Sequence, residues 1–268
     1  MVALLPRTDA TVFFANVTAL RRAGVLGLFA GSKTTEEPEY REFVRQTHFD
    51  YTNDIRSIAG AADARQMLFI IRGRFDWNRL REYAAAHGGA CEHGYCNLPT
   101  TERRRWASFL PIQSDVMGLA VSDNANAALA LSPRRDSLSQ PIPSQPVWVE
   151  VSRSFLEKPL SLPVPVRIFA ISLEFADRVL LSLDSSASNG AAFRLQLDAQ
   201  CPTAATAETI KAQLDLQTRI LRMELAREHQ QPNPADFTGL LVAGTFQVLN
   251  KHVIGTWPID KQLLKTLE

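Results

Sequence analysis

The sequence predicts an α+β fold made of two similar halves, each an antiparallel sheet with helices packed on one face. Three observations support this fold class. Short apolar segments follow one another across tight polar turns, which is typical of antiparallel strands. Helical patterns fall between groups of strands and do not alternate with them one for one, as they would in a parallel α/β sheet. Three strand-to-helix patterns also recur in the same order along the chain, which indicates an internal duplication.

These recurring patterns define the predicted domain boundaries. The first is a short apolar strand that runs into a helix, the second is a strand followed by an amphipathic helix, and the third is a Val-x-Gly strand followed by an aspartate and a helix. The paired segments are 12–21 with 147–156, 67–89 with 193–225, and 116–131 with 253–267. The sequence therefore predicts a first repeat at 1–132, a Pro/Ser-rich linker at 133–146 and a second repeat at 147–268.

The segment 67–89 shows the second pattern most clearly. Its first part, 67–75, is apolar and β-branched, which favours a buried strand. Asp76 has a short acceptor side chain that can cap the free amides of a helix. Apolar residues then recur at helical spacing, and the pair Gly88-Gly89 supplies a residue that tolerates positive φ where the helix ends.

The other elements of the first repeat follow from the same signals. Helices are predicted at 19–29, 39–47 and 125–131, a polar loop at 32–38 and a polar turn at 50–54. Strands are predicted at 55–61, 67–75, 90–99, 106–110 and 116–121.

In the second repeat a long helix begins after Pro202-Thr203, because apolar residues recur every three or four positions as far as Leu225. The segments 168–175 and 179–183 are predicted to form a hairpin across 176–178, with a further turn at 185–190. A proline break at 232–234 precedes a helix at 235–243, strands at 246–254 and a last helix at 263–267.

Composition argues against several function classes. The chain has 268 residues, of which 46% are hydrophobic, a normal share for a packed globular protein. Its 29 basic and 28 acidic residues leave a net charge of +1, whereas a broad nucleic-acid interface needs a strongly basic face. No apolar run approaches the roughly 18 residues of a membrane span. Only Val2 to Leu5 precede Pro6, so no export signal is expected in this chain.

The segment 91–96 is the only cluster of residue types that bind metals. Cys91, His93 and Cys96 could hold a metal ion, but a zinc site usually needs four ligands in paired spacings. The alternatives are a hairpin turn with two ordinary cysteines, or a local disulfide if the protein resides in an oxidising compartment. The sequence leaves these three interpretations open.

Two other motifs have ordinary interpretations. The run Glu102-Arg103-Arg104-Arg105-Trp106 could contact a phosphate or a nucleobase, but the near-neutral charge of the chain favours a solvated hairpin tip. Ser122-Asp123-Asn124 copies one element of penicillin-binding enzymes, yet the chain has neither the Ser-x-x-Lys nor the Lys-Thr-Gly motif that this chemistry requires. We expect Asp123, and likewise Asp260, to cap a helix.

The five histidines indicate no catalytic arrangement. None lies in a nucleophile–base pattern, and His87 falls in the last turn of a predicted helix, where an imidazole suits the helix dipole. They are His48, His87, His93, His229 and His252.

The order of these segments resembles a group of uncharacterised, predicted-exported proteins typical of acidobacterial genomes. The resemblance is carried by the first strand and helix, 49–55, 73–76 before a helix ending in Gly88-Gly89, and the strand and helix at 116–131. It covers most of the chain and implies a periplasmic or cell-envelope address, since such proteins usually begin with a leader. This chain lacks that leader, so the cytoplasm is the alternative. The group has no established activity, and no catalytic residue is carried over from it.

The function predicted from these features is a non-catalytic binding or scaffold protein of the cell envelope. Ligand sites favour domain interfaces, so a groove between the halves, or an exposed sheet face, would take a protein or a small apolar ligand. The alternative is an enzyme whose active site is assembled from distant segments in the same cleft, with Asp54, Arg72, Arg74 and Glu174 as contributors. No catalytic, cofactor-binding or metal residue is assigned, and no nucleic-acid partner is expected.

Overall fold

A computed structural model gives the structure of the chain. It describes residues 1–6, 9–23, 26, 38–131, 142–157, 162–184, 193–233 and 235–259. The chain divides into two compact units, Met1–Ser144 and Gln145–Glu268. Both contain antiparallel strands and helices, so the prediction of an α+β fold is confirmed at this level. Among the described helices, none has both the length and the apolar character that a membrane span needs.

The first unit contains an antiparallel sheet of seven described strands. In chain order these are β1 (Thr11–Ala15), β2 (Ile55–Ala62), β3 (Gln66–Gly73), β4 (Ala90–Glu92), β5 (Tyr95–Pro99), β6 (Trp106–Gln113) and β7 (Val116–Ser122). They lie side by side in the order β1-β2-β3-β7-β6-β5-β4. The helices are α1 (Val17–Arg22), α2 (Pro38–Thr47), α3 (Tyr51–Asp54) and α4 (Trp77–Ala86), and short 3-10 segments occupy Val2–Leu4 and Ala127–Ala130.

Helices cover one face of this sheet. Leu80 and Ala84 of α4 and Phe43 of α2 pack with Ile71 and Phe109 in one apolar cluster. Because side chains alternate along a strand, the neighbour of Phe109 on β6 faces the other way. This neighbour, Ser108, accepts a hydrogen bond from the Ala128 amide, so the 3-10 segment 127–130 lies on the opposite face.

The strand-to-helix unit at 67–89 forms as predicted. Asp76 precedes α4, and its carboxylate accepts hydrogen bonds from the amides of Asn78 and Arg79. The helix ends before Gly88, which has a φ of 77°. Gly89 lets the end of this unit pack closely against the backbone of β5, since a Cβ there would lie 2.2 Å from the Asn97 carbonyl oxygen.

The second unit contains five described strands. They are β8 (Val147–Val151), β9 (Arg178–Asp184), β10 (Phe193–Gln200), β11 (Thr245–Leu249) and β12 (His252–Ile259), in the spatial order β8-β9-β10-β12-β11. Its helices are α5 (Arg153–Glu157), α6 (Val164–Ser172), α7 (Ala204–Arg227) and α8 (Phe237–Val242).

The long helix α7 forms the centre of the second core. Thr203 caps its start by accepting a hydrogen bond from the Thr206 amide. Ile210 and Leu214 on its buried stripe pack with Leu197 and Trp257 of the sheet. The prediction of a helix after Pro202-Thr203 is therefore confirmed.

Three structural predictions are wrong: a strand at 168–175, a helix at 125–131 and a helix cap at Asp123. The segment 168–175 is not a strand of a hairpin, because α6 begins after Pro163, with Pro165 in its first turn, where a missing amide hydrogen costs nothing. Its run of Ile, Phe and Ala suits a buried helix as well as a strand. Asp123 caps no helix either, since its carboxylate accepts a hydrogen bond from the Ser122 hydroxyl and only the 3-10 segment at 127–130 follows.

Several predicted features lie outside the described residues. These are most of the loop at 32–38, the end of the helix at 19–29, most of the linker at 133–146, the turn at 185–190, Asp260 and the helix at 263–267. α1 itself ends at Arg22.

Candidate functional site

The cysteines of the segment 91–96 form a disulfide. Cys91 and Cys96 lie directly opposite each other on β4 and β5, and their sulfur atoms are bonded. A metal site at Cys91, His93 and Cys96 is therefore wrong, since both thiolates are used by the bond. No group of three potential metal ligands occurs anywhere in the described part of the chain. His93 and Gly94 form the two-residue turn, with φ values of 50° and 85°.

The arginine-rich segment is a hairpin tip between β5 and β6. Glu102, Arg103 and Arg104 are exposed, and the tip is closed by a hydrogen bond from the Thr100 amide to the Arg105 carbonyl. The interpretation as a solvated tip is confirmed. That the chain has no nucleic-acid partner stays a prediction.

The charged residues considered for an enzyme are mostly paired. Asp54 is nearly buried, and its carboxylate lies 2.6 Å from the Arg74 guanidinium. Arg72 pairs instead with Asp115, at 3.4 Å. Glu174 belongs to the second unit, where it follows α6. The two arginines thus pair with different carboxylates, and neither pair contains a hydroxyl or a thiol.

One histidine forms a pair with a carboxylate. His252 on β12 has its Nδ1 atom 2.7 Å from the Asp198 carboxylate on β10. The residues opposite Asp198 are Leu180 and Ile254, and Leu249 lies opposite His252 on β11. None of these strand neighbours is a serine, threonine or cysteine, so none of them supplies the nucleophile that acyl transfer would need.

A cavity lies at the C-terminal end of α7, and we call it the α7 cleft. It has a volume of about 540 Å³, within the range of small-molecule sites. Three of its lining residues are apolar and seven are polar. The lining residues are Pro165, Leu221, Glu224, Leu225, Glu228, Gln230, Gln231, Asn233, Asp236 and Thr238.

The wall of the α7 cleft is held in place by short contacts. Asp236 caps α8 by accepting a hydrogen bond of 2.6 Å from the Gly239 amide. Gly239 is required there, because a Cβ would lie 1.8 Å from the Asn233 carbonyl oxygen. On the other side, Arg222 of α7 donates two hydrogen bonds to the Val242 carbonyl of α8.

The described lining of the α7 cleft carries negative charge. Glu224, Glu228 and Asp236 supply three carboxylates, and no described lining residue is Lys, Arg or His. Glu224 and Glu228 are four residues apart, so they lie on the same side of the helix end, where the helix dipole is also negative. The cleft can therefore hold a ligand that carries a positive charge and an apolar part.

Comparisons with known proteins establish the fold alone. No family model and no curated protein sequence matches the chain. Crystal form I of TP0453 is similar in structure, with a TM-score of 0.51 and 12% identity over 99% of this chain and 96% of that one. Crystal form III of TP0453 gives a TM-score of 0.52 over the same shares, again at 12% identity.

Sequence reasoning missed the α7 cleft. The available signal was two glutamates at helical spacing at the end of α7, followed by a break rich in amide side chains and proline. Two negative charges at a helix C-terminus are electrostatically unfavourable, so this pair could have been identified from the sequence as a candidate site. The packing of α6, α7 and α8 brings Asp236 and Pro165 beside this pair, and the sequence alone does not indicate it.

Proposed function

We propose that this chain is a non-catalytic binding protein that holds a small organic cation with an apolar part in the α7 cleft. The observation that carries the proposal is the set of three carboxylates that lines the cleft together with Pro165, Leu221 and Leu225, with no cationic residue among the described lining. A ligand groove between the two halves stays a prediction.

The charge arrangement supports a ligand because it is costly without one. Like charges four residues apart destabilise a helix by about 0.2–0.5 kcal/mol, and acidic groups at its C-terminus add a similar cost. Glu224 and Glu228 incur both costs. An unfavourable charge arrangement that brings no structural benefit is expected mainly at functional sites.

The second supporting feature is the pre-formed wall. Three contacts fix the cleft before any ligand binds. They are the Asp236 cap on α8, the close packing of Gly239 against the Asn233 carbonyl, and the hydrogen bonds from Arg222 to Val242. A ligand therefore loses little affinity to the ordering of the protein.

The test is calorimetric titration with n-hexylammonium, compared with 1-hexanol and hexanoate, which share the apolar chain. We expect n-hexylammonium to bind most tightly, and E224Q/E228Q to weaken it by about tenfold or more, since charge-assisted hydrogen bonds are lost. The matched control is E208Q, which removes an exposed carboxylate from α7 outside the cleft. Equal binding of all three compounds, or no effect of E224Q/E228Q, would contradict the proposal.

We also propose that the two units arose by duplication. The order β1-β2-β3-β7-β6 in the first unit corresponds to β8-β9-β10-β12-β11 in the second. In both, a helix directly follows the first strand and another follows the third. The hairpin β4–β5 is then an insertion in the first unit. A superposition of the corresponding strands and helices that failed to align them would contradict this origin.

An extracytoplasmic address is supported by the Cys91–Cys96 disulfide, because such bonds persist mainly in oxidising compartments. The resemblance to exported acidobacterial proteins stays a prediction that agrees with this address. Alkylation of free thiols in intact cells, followed by mass spectrometry, tests it. Cys91 and Cys96 modified as free thiols would favour the cytoplasm.

A further inference from the structure

A second cleft, in the first unit, lies beside the disulfide-linked hairpin, and we call it the hairpin cleft. It has a volume of about 410 Å³. One wall is the face of β4–β5 that points away from the two cysteines, and the other is the segment that contains Asn126 and Leu129. This cleft shares no lining residue with the α7 cleft, and its proposed ligand is independent of the one proposed there.

The walls of the hairpin cleft are fixed by covalent and polar bonds. The Cys91–Cys96 disulfide links the two strands, and Cys96 is fully buried in the apolar cluster beneath them. The Tyr95 hydroxyl donates a hydrogen bond to the Ala125 carbonyl, which ties the hairpin to the second wall. The hairpin cleft is thus largely formed without a ligand.

The polar side chains of the hairpin cleft face solvent: Glu92, His93 and Asn126 are exposed and Asn97 is half-buried. Four of its side chains make no hydrogen bond and no ion pair with any described residue: Glu92, His93, Asn97 and Asn126. Between them they offer amide and imidazole N–H donors as well as amide, imidazole and carboxylate acceptors. His93 has a φ of 50°, as the first position of a two-residue hairpin turn requires.

This mixture of donors and acceptors selects among ligand classes. An anion would face the Glu92 carboxylate, and a cation would find only that one carboxylate. A purely apolar ligand would leave the two asparagine amides without partners, which is costly on binding. A hydroxyl group both donates and accepts, so several hydroxyls can satisfy this set together.

The hairpin cleft also offers an apolar surface beside these polar groups. The Tyr95 ring is half-buried and fixed by its hydroxyl, and Leu129 is 56% exposed beside it. A sugar ring presents hydroxyls at its edge and C–H groups on its faces, and the cleft offers a partner for each. We propose that the hairpin cleft binds a neutral, polyhydroxylated ligand of the saccharide class.

The test uses the full chain and two-dimensional ¹H–¹⁵N NMR, in which the side-chain amides of Asn97 and Asn126 are observed directly. The probes are D-glucose and N-acetyl-D-glucosamine, with sodium sulfate and n-hexylammonium chloride as charged comparators. We expect a saccharide to shift both amide signals in a saturable way. In N97A/N126A the affinity read from the backbone signals of β4 and β5 should fall by about tenfold or more, since two paired amides are lost.

The matched control is Q200A, which removes an exposed amide from the sheet of the second unit. It should leave the saccharide affinity unchanged, and the retained spectrum of each variant shows that it folds. Three results would overturn the proposal: no saturable shift with either saccharide, equal affinity in N97A/N126A and the wild type, or saturable shifts with sulfate or n-hexylammonium alone.

Discussion

At the scale of single residues, Asp54 contributes through its near-burial. Its carboxylate accepts hydrogen bonds from the Arg74 guanidinium and the Asp50 amide, and its side chain is only 10% exposed. We predict that D54N lowers the free energy of unfolding by about 1–3 kcal/mol, because a buried charged acceptor is lost. Urea unfolding followed by circular dichroism measures this.

The control for that variant is D115N. Asp115 also pairs with arginine, but its side chain is 39% exposed, so water and salt screen the interaction. The loss should stay below about 1 kcal/mol. Equal losses in the two variants would show that burial does not decide the contribution of these carboxylates.

Asp50 gives the first unit a dependence on acid pH. Burial alone raises the pKa of this carboxyl group, but hydrogen bonds from Thr52, Tyr40 and Asn53 outweigh it, so the pKa lies below its ordinary value of 3.8. A carboxyl group with a lowered pKa in the folded state stabilises the fold above its unfolded pKa and loses that contribution as the pH falls through the folded pKa.

We therefore predict that D50N is less stable than the wild type at neutral pH and that this difference shrinks in acid. Unfolding measured between about pH 6 and pH 2 follows the difference through the window that linkage defines. A difference that stays constant over this range would mean that Asp50 acts through packing and not through its charge.

At the scale of elements, the two faces of α7 provide a direct comparison. Leu214 is completely buried against the sheet of the second unit, whereas Leu216, two residues later, is 47% exposed. L214A should cost about 2–5 kcal/mol of stability through the cavity that it leaves. L216A should change it by less than about 0.5 kcal/mol. Thermal unfolding of both variants checks the orientation of the helix. Similar losses of stability in L214A and L216A would contradict the assignment of Leu214 to the buried face.

The elements that the sequence predicted well are those whose pattern has one interpretation. α7 is long, periodic and capped by Thr203, and the alternation at 193–200 permits only a strand. α6 was missed because its run of apolar residues is the same for a buried helix and a buried strand. The cap predicted at Asp123 does not form, because the neighbouring Ser122 hydroxyl donates to its carboxylate and no α-helix follows.

At the scale of the whole molecule, each unit has an apolar core of its own. The cluster around Phe109 contains only residues of the first unit, and the cluster around Leu214 only residues of the second. We predict that 145–268 produced alone folds and unfolds in one cooperative transition, observed by circular dichroism and by dispersed NMR signals. A fragment without a cooperative transition would mean that the second core is insufficient by itself.

The candidate sites were harder to predict than the fold, because they are assembled by packing. The cysteine segment drew attention to the hairpin, but its chemistry lies in the residues on the other face, together with Asn126 from a distant segment. In the α7 cleft, Glu224 and Asp236 are twelve positions apart, and each alone is typical of a solvated surface.

The disulfide has one more consequence, which concerns Cys201. Since Cys91 and Cys96 are bonded to each other, Cys201 is the one free thiol among the three cysteines of the chain, and it is 2% exposed in the second unit. Burial, with smaller contributions from Asp177 and Asp198, raises the pKa of this thiol, which slows its reaction further.

A thiol-specific dye should therefore label the folded chain only when the second unit opens. The labelling rate of Cys201 is then a measure of local unfolding. Without a reductant, complete denaturation should expose one thiol per chain, and with a reductant three. The labelling rate below the denaturation midpoint would then report how often this core opens, without any introduced probe.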